Sequence, residues 1–180
     1  MTWIQTYTGN KFSFQDPQPE DVHLEDIIQS LSKQSRYLGH TLVGVYTVAQ
    51  HSVLVSHIVS PELQLDGLFH DAPEAYYGDV TRPLKMWIEQ QIGISWRDLV
   101  GRIDEVVASA LGVEYPIPQE VKEADDKIIA TEKRDLMAPG PPWCPLPEPC
   151  EGRIKPVEPA TSATLFRHRY QRLLDLYGGL

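Results

Sequence analysis

Residues 70–79 read HDAPEAYYGD, and this stretch decides the fold and the chemistry that we expect of the chain. His70 and Asp71 are adjacent, so both can face one ion only where a helix ends and the backbone turns. Pro73 marks such a point, because the residue before a proline avoids the helical region and proline suits the first turn of a helix. The stretch therefore predicts a helix that ends at a His-Asp pair, with a new helical turn after it.

Two further residues complete a set of metal ligands around this pair. His51 lies on a helix predicted over residues 45–59, and Asp125 lies on a helix predicted over residues 118–137. Two imidazoles and two carboxylates suit a divalent transition metal better than Ca²⁺. The four predicted metal ligands are His51, His70, Asp71 and Asp125.

Asp125 competes with its neighbour Asp126 for the fourth ligand position. Residues three, four and seven apart on a helix share a face. Asp125 falls on the apolar face together with Glu132, whereas Asp126 falls with Lys122 and Lys133. A carboxylate among core residues is costly unless it is paired or bound to a metal. We therefore assign Asp125 as the ligand and interpret Asp126 as a solvated partner of the lysines.

Glu74 and Asp79 are the candidate catalytic acids. If Pro73 opens a new turn, Glu74 points back toward the metal, where it could hold or deprotonate a water. Its alternative role is that of a first-turn acid stabilised by the helix dipole. Asp79, which follows Gly78, is either a turn residue or a second base beside the site.

Cations elsewhere in the chain are candidates for holding a phosphate group. Each of them taken singly is better explained as a solvated charge. The candidates are Arg36, His40, Arg82 and Lys85.

Length and composition restrict the class of protein. A chain of 180 residues, with 42% apolar and 23% charged residues, predicts one globular domain over residues 1–180 with its core at about 20–137. No apolar run approaches the ~20 residues of a membrane span, and the N-terminus lacks a signal-peptide pattern. We therefore expect a cytoplasmic protein without a membrane partner. The net charge of −9 disfavours nucleic-acid polymers as partners but leaves a free nucleotide open.

Hydrophobic periodicity predicts an all-α protein with a small N-terminal β-hairpin. The hairpin is expected over residues 3–14, around the turn signal Gly9-Asn10. The proline-rich residues 139–149 exclude a helix or a central strand, and a final amphipathic helix is predicted over residues 162–177. The remaining helices are predicted over residues 21–35, 62–71, 83–92 and 95–111.

Taken in order, these motifs resemble the signature of the HD-domain metal-dependent phosphohydrolases. The resemblance is closest to the branch of YfbR-like 5′-deoxynucleotidases and their bacterial and phage relatives, and it covers roughly residues 3–137. The motifs that carry it are Arg36-Tyr37, VAQHS at 48–52, His70-Asp71 with Glu74, Gly78-Asp79, Pro83-Leu84-Lys85 and KEAD at 122–125.

The resemblance implies an HD-domain helical bundle that hydrolyses phosphate from deoxynucleotides, either monophosphates or triphosphates such as dATP. It implies that Arg36 holds the phosphate and that Tyr37, where the family often has tryptophan, lies near the sugar and helps to exclude ribose. It also implies that a metal is held at the four predicted ligands, that Glu74 is the catalytic acid and that Asp79 is a second acid of the site.

We therefore expect an enzyme that uses Mn²⁺, Co²⁺ or Zn²⁺, with Mg²⁺ as a further candidate, and prefers deoxyribonucleotides, with dATP or dAMP among the best. We expect it to act as a homo-oligomer in the cytoplasm of a bacterium or a phage-infected bacterium. Two other functions stay open: hydrolysis of a cyclic or pyrophosphorylated signalling nucleotide, and a non-catalytic binding module that keeps its metal for structure. The presence of Glu74 and Asp79 counts against the binding module.

Overall fold

The computed structural model describes residues 1–143 and 145–177, with side chains up to residue 176. The described chain is mostly helical and has one small antiparallel sheet, so the predicted all-α class with an N-terminal hairpin is confirmed. Cys144, inside the predicted proline-rich segment, lies outside the described residues.

The hairpin consists of β1 (Trp3–Gln5) and β2 (Lys11–Ser13). Ile4 pairs with Phe12, and the turn between the strands contains Gly9 at a φ of 88°, a conformation that glycine adopts without steric cost. Phe12 is fully buried and stacks on Tyr76, with ring centroids 3.8 Å apart. The hairpin therefore covers one end of the helical core.

Each helix predicted from the sequence is present, with bounds that differ by a few residues, and Ser95 and Gly112 flank the long sixth helix as its N-cap and its left-handed stop. No helix of the described chain is both long enough and apolar enough to cross a membrane. The helices are α1 (Leu24–Leu31), α2 (Val48–Ile58), α3 (Gln64–Phe69), α4 (Glu74–Tyr77), α5 (Arg82–Ile92), α6 (Trp96–Leu111), α7 (Gln119–Leu136) and α8 (Pro159–Tyr177).

Helix α2 lies at the centre of the fold and packs against α3, α7 and α8. The approach to α3 is close because Gly67 has no side chain: a Cβ added there would lie 3.0 Å from the Cα of Ser56. His51 is carried by α2, and His70 directly follows α3. The close packing of α2 and α3 therefore brings the two histidines together.

The connection between α7 and α8 forms no helix or strand over its described residues, as the proline-rich composition predicts. Buried polar groups of the core hold it in place. The amide of Cys150 donates to Thr131 Oγ1 at 2.9 Å, and the amide of Val157 donates to Gln50 Oε1 at 3.1 Å. The connection is thus bound both to α7 and to α2, the helices that carry Asp125 and His51.

Candidate metal centre

Three of the four predicted ligands bring one ligand atom each to a common point. The imidazole Nε2 atoms of His51 and His70 are 3.3 Å apart, and Asp125 Oδ1 is 3.0 Å from His51 Nε2. Ligand atoms of the three residues all lie within 4.8 Å of one another. The group that could hold a metal ion thus joins α2, the end of α3 and α7.

Asp71 places a fourth candidate ligand atom, a carboxylate oxygen, beside this group. Its Oδ2 lies 3.2 Å from His70 Nε2 and 3.7 Å from His51 Nε2. Arg36 Nη1 donates to the same oxygen at 3.4 Å. The structure therefore brings all four predicted ligands together, with Asp71 shared between the histidines and a guanidinium.

The second nitrogen of each histidine ring is held on the side away from this cluster. His70 Nδ1 lies 2.9 Å from the carbonyl oxygen of Gly67, which can only accept a hydrogen bond. His51 Nδ1 lies 2.6 Å from Glu132 Oε1. When the Nδ1 atoms donate these two bonds, both Nε2 lone pairs point into the cluster, as metal ligands require.

Glu132 on α7 belongs to the candidate site but is not among the site residues predicted from the sequence. It is fully buried, accepts a hydrogen bond from the Tyr37 hydroxyl and lies 3.5 Å from Arg36 Nε. The signal that could have found it is its position, seven residues after Asp125 on the same apolar face. The cost of a buried carboxylate that singled out Asp125 applies equally to Glu132.

The charges around His51 favour a cation at this point. Burial and the Arg36 charge both act to lower the pKa of His51, but the carboxylates of Glu132 and Asp125 outweigh them and raise it to about 10. Burial opposes ionisation of Glu132, yet Arg36 and His51 hold its pKa below the ordinary value. The donor set and its charges both fit a divalent metal.

Glu74 lies near Asp71 and has one carboxylate oxygen without a hydrogen-bond partner in the described chain. The residue is buried, and its Oε2 makes no hydrogen bond within the described chain, while its Oε1 lies 3.5 Å from Lys85 Nζ. Burial raises the pKa of Glu74 well above its usual value, and the nearby charges of Asp71 and Asp79 raise it further. A buried carboxyl group with a raised pKa beside a metal-ligand cluster is a candidate for proton transfer.

Asp79 is half-buried beside Glu74, and burial raises its pKa despite the opposing charge of Arg36. Its backbone amide donates to Gln34 Oε1 at 2.9 Å. The second candidate acid is therefore held near the cluster by its own backbone.

The contacts expected from the sequence for His40 and for Asp126 differ from those in the structure. His40 is exposed and forms no hydrogen bond or ion pair with a cluster residue over the described chain. Asp126 is more exposed than Asp125, as expected, but its ion-pair partner is Arg82 at 3.2 Å rather than the lysines of its own helix. The sequence pattern predicts the more exposed face of α7 correctly. The ion-pair partner lies on α5, and the pattern of one helix does not reveal side chains on another.

No family model matches the chain. It is 32% identical over 180 residues to the uncharacterized protein YfdR of Escherichia coli strain K12, an alignment that covers 98% of each chain. It is 31% identical over 130 residues to an uncharacterized protein of Rhodobacter capsulatus, covering 68% of this chain and 64% of that relative.

Proposed function

This chain belongs to the family of Escherichia coli YfdR, and we propose that it is a metal-dependent phosphohydrolase of the HD-domain class that acts on deoxynucleotides. The observation that carries the proposal is the approach of two imidazole Nε2 atoms to 3.3 Å, with a carboxylate oxygen of Asp125 and one of Asp71 beside them. Mixed imidazole and carboxylate ligands favour Mn²⁺, Co²⁺ or Zn²⁺, and Mg²⁺ is a further candidate.

A bound divalent metal would lower the pKa of water and polarise a phosphoryl oxygen. The chain's own residues supply the proton transfer. Attack of water on phosphorus releases a proton, and we propose Oε2 of Glu74, which is buried and has no hydrogen-bond partner within the described chain, as its acceptor. Its raised pKa makes it a stronger base than an ordinary carboxylate.

Arg36 and Lys85 are the cations that we propose for the phosphate. Arg36 is buried against Asp71 and Glu132, so its guanidinium is fixed in orientation before the substrate arrives. Lys85 Nζ lies 3.5 Å from Glu74 Oε1, and its ammonium group can bind a phosphate oxygen in place of this carboxylate. Positioning and charge account for most of the catalysis in phosphoryl transfer.

The preference for deoxyribonucleotides, with dATP or dAMP among the best, remains a prediction that rests on Tyr37. The Tyr37 hydroxyl is bound to Glu132, and its ring lies 5.6 Å from the ring of Trp143. A ring held by its hydroxyl and lying beside Trp143 could restrict the space for a 2′-hydroxyl group beside Arg36. We also propose a cytoplasmic homo-oligomer that binds free nucleotides and not nucleic-acid polymers.

The proposal is tested by assaying the purified protein against the deoxynucleoside mono-, di- and triphosphates and their ribose counterparts, with the metal content measured in parallel. We expect chelation to abolish phosphate release and Mn²⁺, Co²⁺ or Zn²⁺ to restore it. Glu74→Gln should keep its metal and lose about 10²–10⁴-fold in rate.

Full activity in protein shown to be metal-free would contradict the proposal. Turnover of cyclic or pyrophosphorylated nucleotides alone would favour the signalling-nucleotide enzyme instead. Metal retention with no turnover of any nucleotide would favour the non-catalytic module.

A further inference from the structure

A cavity of about 170 Å³ lies beside the cluster and is lined in part by His70, Asp71 and Glu74. An engineered cavity of ~150 Å³ in another protein accommodates benzene, so this one has room for an aromatic ring. Because His70 and Asp71 belong both to the cluster and to the cavity lining, a molecule held at the cluster by its phosphate can extend directly into the cavity.

The charges of the cavity lining disfavour a phosphate group inside the cavity itself. Lys85 is the one Lys or Arg among the described residues that line it, and its Nζ lies 3.5 Å from Glu74 and 5.5 Å from the ring centroid of Trp96. A concave surface of one sign attracts groups of the opposite sign and repels like charges. The cavity therefore suits the uncharged, donor-bearing part of a nucleotide. The carboxylates of the lining belong to Asp66, Asp71, Glu74, Asp104 and Glu114.

Aromatic side chains give the cavity flat walls. Trp96 and Tyr77 meet edge to face with ring centroids 5.9 Å apart, and Tyr115 adds a third ring. Planar heterocycles stack favourably on aromatic rings, and this preference tolerates any base. Stacking thus explains why a base would enter the cavity but not which base.

Asp104 supplies a feature that distinguishes between bases. It is half-buried on α6, and its Oδ1 accepts a hydrogen bond from the Tyr77 hydroxyl at 3.0 Å. The structure gives no partner for its Oδ2 within the described chain. An ionised carboxylate can only accept hydrogen bonds, so this oxygen favours an N–H group over a carbonyl oxygen.

We propose that this cavity is the base subsite and that Asp104 selects bases with an exocyclic amino group, such as adenine and cytosine, over hypoxanthine and uracil. The inference rests on the proposed function, because it is the phosphate at the cluster that directs the base into the cavity. It adds base selection by amino group to the expected preference for deoxyribose.

The test measures binding of nucleosides, which carry no phosphate, by ligand-observed NMR titration of the metal-loaded protein. The matched pairs are deoxyadenosine with deoxyinosine and deoxycytidine with deoxyuridine. In each pair a carbonyl replaces the exocyclic amino group and the adjacent ring nitrogen gains an N–H, so the comparison tests which group faces Asp104 at the exocyclic position. We expect the amino member of each pair to bind about tenfold more tightly, since a carbonyl would leave the carboxylate unsatisfied.

Asp104→Asn sharpens the test. The amide keeps an acceptor for the Tyr77 hydroxyl and places an N–H group where the free carboxylate oxygen was, so the tenfold preference should vanish or invert. Glu105→Gln is the matched control, because Glu105 is exposed on the same helix and pairs with Arg102 at 3.3 Å. This control should keep the preference of the unmodified protein.

Equal affinity within both pairs, or binding of no nucleoside, overturns the inference, as does an Asp104→Asn variant that keeps the tenfold preference. These results are separable from the proposed function. Hydrolysis of dAMP and dIMP at equal kcat/KM, without nucleoside preference, retains the phosphohydrolase and rejects the amino-selective subsite. Selective nucleoside binding by a protein that hydrolyses no nucleotide supports the subsite and rejects the hydrolase.

Discussion

Glu132 contacts His51 but is not itself a predicted metal ligand. Replacing it therefore tests how much the orientation of His51 contributes to metal binding. Glu132→Gln keeps the size of the side chain but removes the negative charge of the carboxylate that accepts hydrogen bonds from His51 and Tyr37. Loss of such a partner typically lowers metal affinity by about 10–100-fold. Calorimetric titration with Zn²⁺ should show that decrease in a variant that remains folded.

Glu123→Gln is the control for Glu132, because Glu123 is an exposed acid on the same helix, bonded to Gln119. Its zinc affinity should match that of the unmodified protein. Equal affinities in both variants would show that Glu132 does not hold His51 in its binding orientation.

The neighbours Asp125 and Asp126 have opposite predicted roles. Asp125→Ala should lose the metal, since Asp125 Oδ1 is 3.0 Å from His51 Nε2. Asp126→Ala should keep the metal and cost little stability, because an exposed ion pair such as that with Arg82 contributes only ~0.2–1 kcal/mol. Elemental analysis of the two purified variants gives the metal-to-protein ratio. A metal-free Asp126→Ala beside a metal-loaded Asp125→Ala would reverse the assignment.

Between elements, the contact of α2 with α3 depends on Gly67. Alanine in place of glycine is favoured by helix propensity by about 1 kcal/mol, but a Cβ there would meet the Cα of Ser56 at 3.0 Å. The backbone of α2 at Ser56 can shift only at a cost in free energy, and overpacking of this kind costs ~1–3 kcal/mol. Gly67→Ala should therefore lower both the free energy of unfolding and the zinc affinity, because the helices that carry His51 and His70 are forced apart.

Gly152→Ala is the control, since a Cβ at Gly152 meets nothing within 4 Å. Denaturant unfolding and zinc titration of both glycine variants provide the measurement. A Gly67→Ala protein that is more stable than the unmodified chain would mean that helix propensity outweighs the close packing.

The elements themselves were predictable because their signals are local. Alternation around Gly9 indicated the hairpin, and the apolar face of α7 identified Asp125 over Asp126. Side-chain contacts between different helices were not predictable. The pattern of one helix indicates which residues are buried but not which side chains they contact. The face of α7 indicates that Glu132 is buried, but its contacts with His51 and Tyr37 and the Arg82–Asp126 pair were missed for this reason.

The backbone at Tyr37 and Leu38 is a second feature that the sequence could not indicate. Their φ angles are 55° and 53°, in the left-handed region that residues with a side chain adopt only at a cost. The hydrogen bond from Tyr37 to Glu132 and the burial of Arg36 help to offset that cost. Both arise from tertiary contacts that no local pattern encodes.

At the scale of the whole molecule, α8 stabilises the core from which the cluster is built. Phe166 is fully buried, and its ring centroid lies 5.7 Å from that of Phe69, the residue before His70. Phe166→Ala should lower the free energy of unfolding by ~3–5 kcal/mol. Leu165→Ala, at a position 40% exposed on the same helix, should change it by no more than about 0.5 kcal/mol.

Denaturant unfolding, followed by circular dichroism, compares the two variants of α8. Similar small effects of both would show that α8 is not part of the cooperative core.

The long sequence separations within the site determine when it can be completed during synthesis. Glu132 follows His51 by 81 residues and Tyr37 by 95, and Ser162 bonds to Thr47, 115 residues earlier, at the start of α2. A chain leaves the ribosome from its N-terminus, so both histidines emerge long before their partners on α7. A nascent chain that stops before residue 125 carries His51 and His70 without Asp125 or Glu132, so the complete cluster can form only late in translation or afterwards.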